Sequence, residues 1–307
     1  MSSTILAPFT ARDGENLALY EWPLDAWFND FGAAIPPPRA VVLLVHGLGE
    51  HAGRYDALAN RLFDWGFAVR AYDQRGHGQS GGARGVLPGR DTLLQDLAEI
   101  VDDTRQRCLR LTQPVDGVPG RQQPLPLILL GHSLGGLLVS RFEALKIRPI
   151  DGLVLTSPAL ATELSLLQKI MIAVLLRLAP DFCVGNRLDP AYLSHDPQVV
   201  RNYRADRLVH DRISARLARF ITIAGVDTIA AAALWQTPTL LMYAGADRLV
   251  KPQGSRAFLD AAAGSPGVRA GTVTSKCFDG FYHELFNEKN PEPVYEALQA
   301  WLDARFA

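Results

Sequence analysis

Gly131-His132-Ser133-Leu134-Gly135 sets a serine between two glycines, directly behind the apolar run Leu125 to Leu130 and directly before LGGLLVSRFEAL. A strand that ends in such a turn and leaves as a helix presents the serine hydroxyl at its apex, near the positive end of the helix dipole. Side chains at the flanking positions would strike the returning helix, so both are glycine. This is the setting of a nucleophile for acyl transfer.

A serine hydroxyl attacks poorly until a base takes its proton. Three histidines follow Ser133: His195, His210 and His283. The first two sit in the polar stretches LSHDP and LVHDR, which suit solvated or capping roles. His283, in GFYHELFNE ahead of the last helical pattern, is where a loop could bring an imidazole onto the serine. An acid should hold that imidazole in the right tautomer and stabilise the imidazolium. The order nucleophile, acid, histidine selects Asp247 in GADRLV, just after the apolar run Pro238 to Gly245. Asp279, four residues before His283, is the rival, and the chain order favours Asp247.

The tetrahedral intermediate needs two N–H groups aimed at its oxygen. One is expected from Leu134, the residue after the nucleophile. The other is expected from the loop His46-Gly47-Leu48-Gly49, at the N–H of Leu48. His46 invites a catalytic or metal reading, but no second ligand has metal-like spacing, so a structural role, a hydrogen bond holding the loop, is expected.

Such a constellation needs a scaffold. Ala40 to His46, Phe67 to Asp73, Leu125 to His132, Gly152 to Pro158 and Pro238 to Gly245 read as short buried strands. Helical patterns lie between them. Tyr55, Leu58, Ala59, Leu62 and Phe63 share one face, with Gly66 as a stop; Leu93, Leu94, Leu97, Ile100, Val101 and Cys108 share another. The last helix should open at Asn290 and Pro291 and bury Val294, Tyr295, Leu298, Trp301 and Leu302. Strand-helix alternation of this kind means an α/β fold with a mainly parallel sheet covered on both faces. The opening segment reads as a hairpin turning at Asp13-Gly14, and Thr112 to Pro126 reads as a loop.

Residues 159 to 235 break the alternation, with helical patterns and no strong strand, as expected of a helical cap over the sheet. Glu163 to Pro180 is apolar on nearly every helical face. Ordinary packing under the cap is the expected role of its leucines, ahead of a lipid-facing one.

The 307 residues are 48% hydrophobic and carry a formal net charge of -1 with both signs interspersed, which argues against nucleic-acid binding. Cys108, Cys183 and Cys277 are far apart and odd in number, as expected of free thiols in a reducing compartment. The N-terminal stretch lacks the pattern of a signal peptide, and no segment reads as long and apolar enough to span a bilayer. A cytoplasmic protein is expected.

HGLGEHAGRY (46 to 55), YDQRGHGQSGGARG (72 to 85), GHSLGG, TSPAL (156 to 160), GADRLV and YHELFNE together resemble the monoacylglycerol lipase and lysophospholipase-like branch of the alpha/beta-hydrolase superfamily, from about Pro36 to the end. The resemblance implies a mostly parallel eight-stranded sheet flanked by helices, with the cap inserted after the sixth strand. The core is then residues 1–158 and 236–307, and the cap 159–235. Motif by motif it assigns Ser133, Asp247 and His283 to a triad and Leu48 and Leu134 to the oxyanion hole. In relatives the cap forms a lipophilic acyl tunnel and can rest on membranes. Asp25 to Pro38 and Gln113 to Pro126 look longer than usual for the branch. Glu50 and Arg54, four apart, read as a surface ion pair of little worth; the alternative is that they line the polar end that receives glycerol. Arg75 to Arg84 lacks the GK[ST] ending of a phosphate loop and is taken as structural.

The expectation is therefore a serine carboxylic-ester hydrolase acting on monoacylglycerols, lysophospholipids or related acyl esters through an acyl-enzyme, with no metal or organic cofactor. Cleavage of an amide, as in proline-releasing peptidases, is the alternative; it needs an acidic recess in the cap, where Asp181, Asp189 and Asp206 lie. A binding protein that kept the pocket would not need all three triad members. The oligomeric state is left open.

Overall fold

The computed structural model describes residues 4–22, 38–111, 124–162, 165–266 and 268–307. The two long insertions named above fall mostly outside the described residues, as does Glu163.

The central sheet has eight strands. They are β1 (Thr4–Ile5), β2 (Leu19–Trp22), β3 (Val41–Val45), β4 (Ala68–Tyr72), β5 (Leu127–His132), β6 (Gly152–Thr156), β7 (Thr239–Ala244) and β8 (Val273–Phe278). Their spatial order is β1-β2-β4-β3-β5-β6-β7-β8. The pairs β1–β2 and β2–β4 are antiparallel, and the strands from β4 through β3, β5, β6 and β7 to β8 run parallel. The apolar runs read from sequence are β3 to β7, each shorter by two residues. β8 is largely exposed along its length, which is why it has no continuous apolar run.

Alternate side chains of β3 feed two cores. Val41, Leu43 and Val45 face one, while Val42 and Leu44 face the other. Helices cover both faces: α1 (Asp56–Asp64), α2 (Thr92–Leu111), α3 (Leu134–Ala144), α7 (Pro252–Ala263) and α8 (Glu292–Asp303), numbered around the intervening α4 to α6. The faces read from periodicity are the ones that are buried: Leu58, Ala59 and Leu62 on α1, and Val294, Tyr295, Leu298, Trp301 and Leu302 on α8. Gly66 ends α1 at φ +87°. The opening hairpin pairs Phe9–Thr10 with Asn16–Leu17 but stands apart from the main sheet.

Between β6 and β7 lie α4 (Leu166–Leu178), α5 (Pro197–Ala205) and α6 (Ala215–Ala231). A short antiparallel ladder, Cys183–Gly185 against Arg212–Ser214, also sits here. Three-residue strands leave no periodic trace, so an all-helical reading misses them. Two further expectations are corrected. No residue of α4 is buried, and Leu166 and Leu167 are 75% and 76% exposed; of its leucines only Leu175 and Leu176 are half-buried, on the side that meets α6. Ala215–Leu234, at 20 residues and mean hydropathy 1.6, is long and apolar enough to cross a membrane by length and composition. Arg216, Arg219 and Asp227 hide that from inspection; in this fold α6 buries Leu217, Ile221 and Ala224 in the core.

Candidate active site

The parallel strands bring their carboxyl ends to one edge of the sheet, the place where open α/β sheets build sites. Val45 of β3 lies level with Gly131 of β5, and His132 with Thr156 of β6. Ser133 therefore emerges at the centre of that edge.

Its backbone sits at φ 52°, ψ −115°, a sparsely populated conformation that costs roughly 1–3 kcal/mol. Hydrogen bonds hold it there: Ser133 N–H donates to Thr156 O, and the Leu137 and Ala159 N–H groups donate to Ser133 O, each at 3.0 Å. The flanking glycines are required by close approach. A Cβ on Gly131 would lie 2.5 Å from Gly135 O, on the returning helix. A Cβ on Gly135 would lie 2.0 Å from Val45 O and 2.5 Å from His46 O. That second clash is with β3 rather than with the helix, so the later glycine lets α3 dock against the neighbouring strand.

His283 donates from Nδ1 to Asp247 Oδ2 at 2.7 Å. Both side chains are at most 5% exposed. Asp247 Oδ1 accepts from the N–H groups of Leu249 and Val250, both at 2.9 Å. Burial works against the Asp247 charge, but His283 and these two donors hold its carboxyl below the usual range. For His283 burial favours the neutral ring; the Asp247 charge and hydrogen bond, then Glu284 and Glu50, outweigh it and raise the imidazole above its ordinary value. His132, packed against His283 at 4.7 Å between ring centroids, is pushed down to about 4 by burial and by its neighbour. It stays neutral and caps the contact with Thr156.

The rival Asp279 is exposed and meets Cys277 Sγ instead. His195 pairs with Glu288 at 2.8 Å and stacks on Tyr282. His210 packs its ring 4.7 Å from that of His77, and its N–H donates to Gly49 O at 2.9 Å. With these partners, both tie the segment between β6 and β7 to loops at the carboxyl edge of the sheet. Two more bonds do the same for the histidine loop, from His283 N–H to Tyr192 O and from Glu284 N–H to Leu193 O.

Leu134 is the first residue of α3, where a helix has no preceding carbonyl to use its N–H. Leu48 follows Gly47, whose N–H donates to Glu50 Oε1 at 2.7 Å. His46 is 1% exposed; its Nε2 accepts from the Gln74 N–H and its Nδ1 meets Gly47 O, each at 2.8 Å. It holds the loop.

Two cavities meet at the serine. Both are lined by Leu48, Ser133, Asn186, Leu188, Leu249 and His283. One, of 280 Å³, is the more polar of the two, a mixed wall in which Glu50, Arg54, Tyr203, Asp206 and Glu284 stand beside Leu188, Leu193 and Val209. The other, of 350 Å³, is mostly apolar, with Leu134, Ala159, Ile213, Ala218, Ile221 and Val250.

Glu50 and Arg54 are not a surface pair. Their side chains are 5% and 12% exposed. Arg54 bridges Glu50 Oε2 and both oxygens of Glu284, the latter at 2.7 and 2.8 Å, and its guanidinium lies over the Tyr203 ring. Burial raises the Glu50 pKa, but the charges of Arg54, His132 and His46 outweigh it and keep the carboxyl low. Spacing alone shows two opposite charges on one helical turn; it cannot show that the chain folds over them. Glu284 is absent from the sequence reading, although it stands next to His283 in YHELFNE.

A scan of family models matches residues 36–290 to the serine aminopeptidase S33 family. Among curated proteins, the chain is 36% identical to a monoacylglycerol lipase of Mycolicibacterium smegmatis, over 91% of each chain. It is 30% identical to the human monoglyceride lipase, over 88% of this chain and 84% of that one. Among solved structures, a monoacylglycerol lipase of Paleococcus ferrophilus superposes with a TM-score of 0.73 at 34% identity, covering 88% of this chain and 96% of the other. A monoglyceride lipase variant of Saccharomyces cerevisiae, at 21% identity and a TM-score of 0.78, shares the fold over 98% of this chain and 97% of its own.

Proposed function

Since the chain belongs to the serine aminopeptidase S33 family and, within the alpha/beta-hydrolase superfamily, to the monoglyceride lipase branch, we propose that it is a serine carboxylic-ester hydrolase of monoacylglycerols. The observation that carries the substrate is the pair of unlike cavities joined at Ser133. A monoacylglycerol has the same division: a small polyol, an ester at the junction and an apolar chain. The polar cavity takes the glyceryl group against the wall of Glu50 and Arg54, and the apolar one takes the acyl chain. Apolar burial discriminates weakly per methylene, so breadth toward short and medium acyl esters follows, with lysophospholipids as related substrates.

In the reaction, His283 Nε2 removes the Ser133 proton as Oγ attacks the ester carbon. Asp247 holds Nδ1–H and balances the imidazolium. The N–H groups of Leu48 and Leu134 take the charge on the carbonyl oxygen. Collapse of the intermediate passes the His283 proton to the leaving glycerol and leaves an acyl-serine. Water then enters on the same base and frees the acid.

Residues 159–235 act in this reading as a cap over the site. Its helix α4 exposes Leu166, Leu167, Ile170 and Leu178 together, an apolar face suited to resting on a membrane from the cytoplasmic side. Amide cleavage of the proline-releasing kind is the weaker reading. Asp181 pairs with Arg216, Asp189 turns to the Ala191 N–H, and Asp206 is bound to His51, so the three carboxylates do not converge. The test is a panel of monoacylglycerol, lysophosphatidylcholine, p-nitrophenyl esters and an amino-acid anilide, run beside fluorophosphonate labelling. Ser133→Ala should abolish both ester turnover and labelling; retained esterase activity in that variant would sink the proposal.

A further inference from the structure

His283 and Leu48, the expected base and oxyanion donor, sit on different loops, yet an unbroken series of buried contacts joins them. Glu284 is bonded covalently to His283. Its two oxygens receive the two Nη groups of Arg54 at 2.7 and 2.8 Å. Nη1 of Arg54 also donates to Glu50 Oε2, and Glu50 Oε1 accepts from the Gly47 N–H and the Tyr55 hydroxyl, each at 2.7 Å. Gly47 precedes Leu48. Glu50 and Glu284 are 4% and 5% exposed.

We infer that Arg54 and Glu284 are positioning residues: together with Glu50 they form a strut that sets the histidine loop and the oxyanion loop in register across the polar cavity. The inference rests on the ester-hydrolase reading and deepens it. A buried carboxylate–guanidinium–carboxylate triad is a poor source of stability, because desolvating three charges offsets most of their attraction. What it supplies is direction. The planar guanidinium satisfies two carboxylates at fixed angles, which a point charge cannot do. Its second effect is electrostatic. Two carboxylates against one guanidinium leave a net negative charge beside the imidazole.

The charged and titratable groups around His283 come from four places. Asp247 follows β7, His132 ends β5, and Glu50 and Arg54 follow β3. The segment between β6 and β7 contributes Arg204, Asp206, His210 and Asp211 to the same cavity. Tyr282, Glu284 and Glu288 lie on the histidine's own loop, and the Glu284 charge is among those that raise the imidazole.

The experiment uses the full-length protein with a monoacylglycerol and a p-nitrophenyl ester, with active sites counted by fluorophosphonate titration. Glu284→Gln keeps the shape and removes the charge; Arg54→Lys keeps the charge and removes the fork. Both should lower kcat per titrated site on either substrate, by about tenfold to a hundredfold, as a shift of the order of 1 Å in a catalytic group does, while KM for the p-nitrophenyl ester, which has no glyceryl group to meet Arg54, stays near the wild-type value. The acid limb of the kcat/KM profile should move to lower pH in Glu284→Gln and stay in place in Arg54→Lys. A merely structural strut would lower the titratable fraction and leave both readouts unchanged. Wild-type kcat per site with an unmoved acid limb, or a loss confined to KM, would overturn the inference. Should Glu284→Gln fail to fold, Arg54→Lys decides alone on kcat per site. Failure of the ester reading itself would show earlier, as a wild-type protein that neither hydrolyses the esters nor takes the probe.

Discussion

Replacing Asp247 by asparagine exchanges one carboxylate oxygen for an NH2 group and removes the charge with almost no change in volume, so it isolates the work of the carboxylate. The two N–H donors on Oδ1, from Leu249 and Val250 at 2.9 Å, decide how the amide must lie. With its oxygen on that side, the asparagine keeps both bonds and turns its NH2 toward His283 Nδ1, now 2.7 Å away. The ring must then present a lone pair at Nδ1 and carry its proton on Nε2, the nitrogen that has to accept the Ser133 proton. Flipping the amide restores the productive tautomer but forfeits two hydrogen bonds, about 1–1.5 kcal/mol each. That loss of roughly 2–3 kcal/mol already means about 30- to 150-fold in rate. The imidazolium also loses its buried counter-charge. The same substitution in a serine-protease triad costs about 10⁴ in kcat, or about 5.5 kcal/mol at 1.36 kcal/mol per decade. Asp247→Asn should fall between these bounds, nearer the larger, with KM little changed. Steady-state hydrolysis of a p-nitrophenyl ester measures it, and thermal unfolding checks that the fold is kept. A variant within about threefold of wild type would refute the assigned role of Asp247.

Gly135→Ala should yield an unfolded or strongly destabilised protein, because its Cβ would lie 2.0 Å from a carbonyl oxygen of the central strand β3; a wild-type melting temperature would show that α3 can back away from the sheet. Ala218→Trp narrows the apolar cavity, and the ratio of kcat/KM for a long-chain over an acetyl ester should drop by about tenfold or more, given about 0.8 kcal/mol for each methylene denied burial; an unchanged chain-length profile would place the acyl chain elsewhere. Leu166→Asp with Leu167→Asp puts two charges on the exposed face of α4, and co-sedimentation with phosphatidylcholine vesicles should be lost; undiminished co-sedimentation would rule that helix out as the contact. Activity should also decline on the acid side from above the ordinary histidine value, since the base must be neutral and His283 is raised. A kcat/KM profile flat through pH 7 down to 6 would contradict that direction.

Much of this protein is decided locally. The five apolar runs that become β3 to β7 are buried on both faces, so their composition alone separates them from surface strands. The first half of the serine turn is equally local, since Gly131 answers to Gly135 on the returning helix, whereas Gly135 answers to β3, distant in the chain. The pairing of Asp247 with His283 follows from the order of loops at the carboxyl edge of a parallel sheet, which the alternation of strands and helices already dictates.

What only the tertiary structure decided depends on residues far apart in the chain. Glu50 and Arg54 are four residues apart in either reading. Whether they form a solvated pair or a buried strut depends on the loop carrying Glu284, 230 residues from Arg54. Helix α4 is the converse case. Its uniform apolarity is compatible with deep burial or full exposure, because periodicity reports which face differs from the others and α4 has no such face. Pattern in a sequence encodes which side chains leave water together; the identity of what they meet is set only when the chain closes over itself.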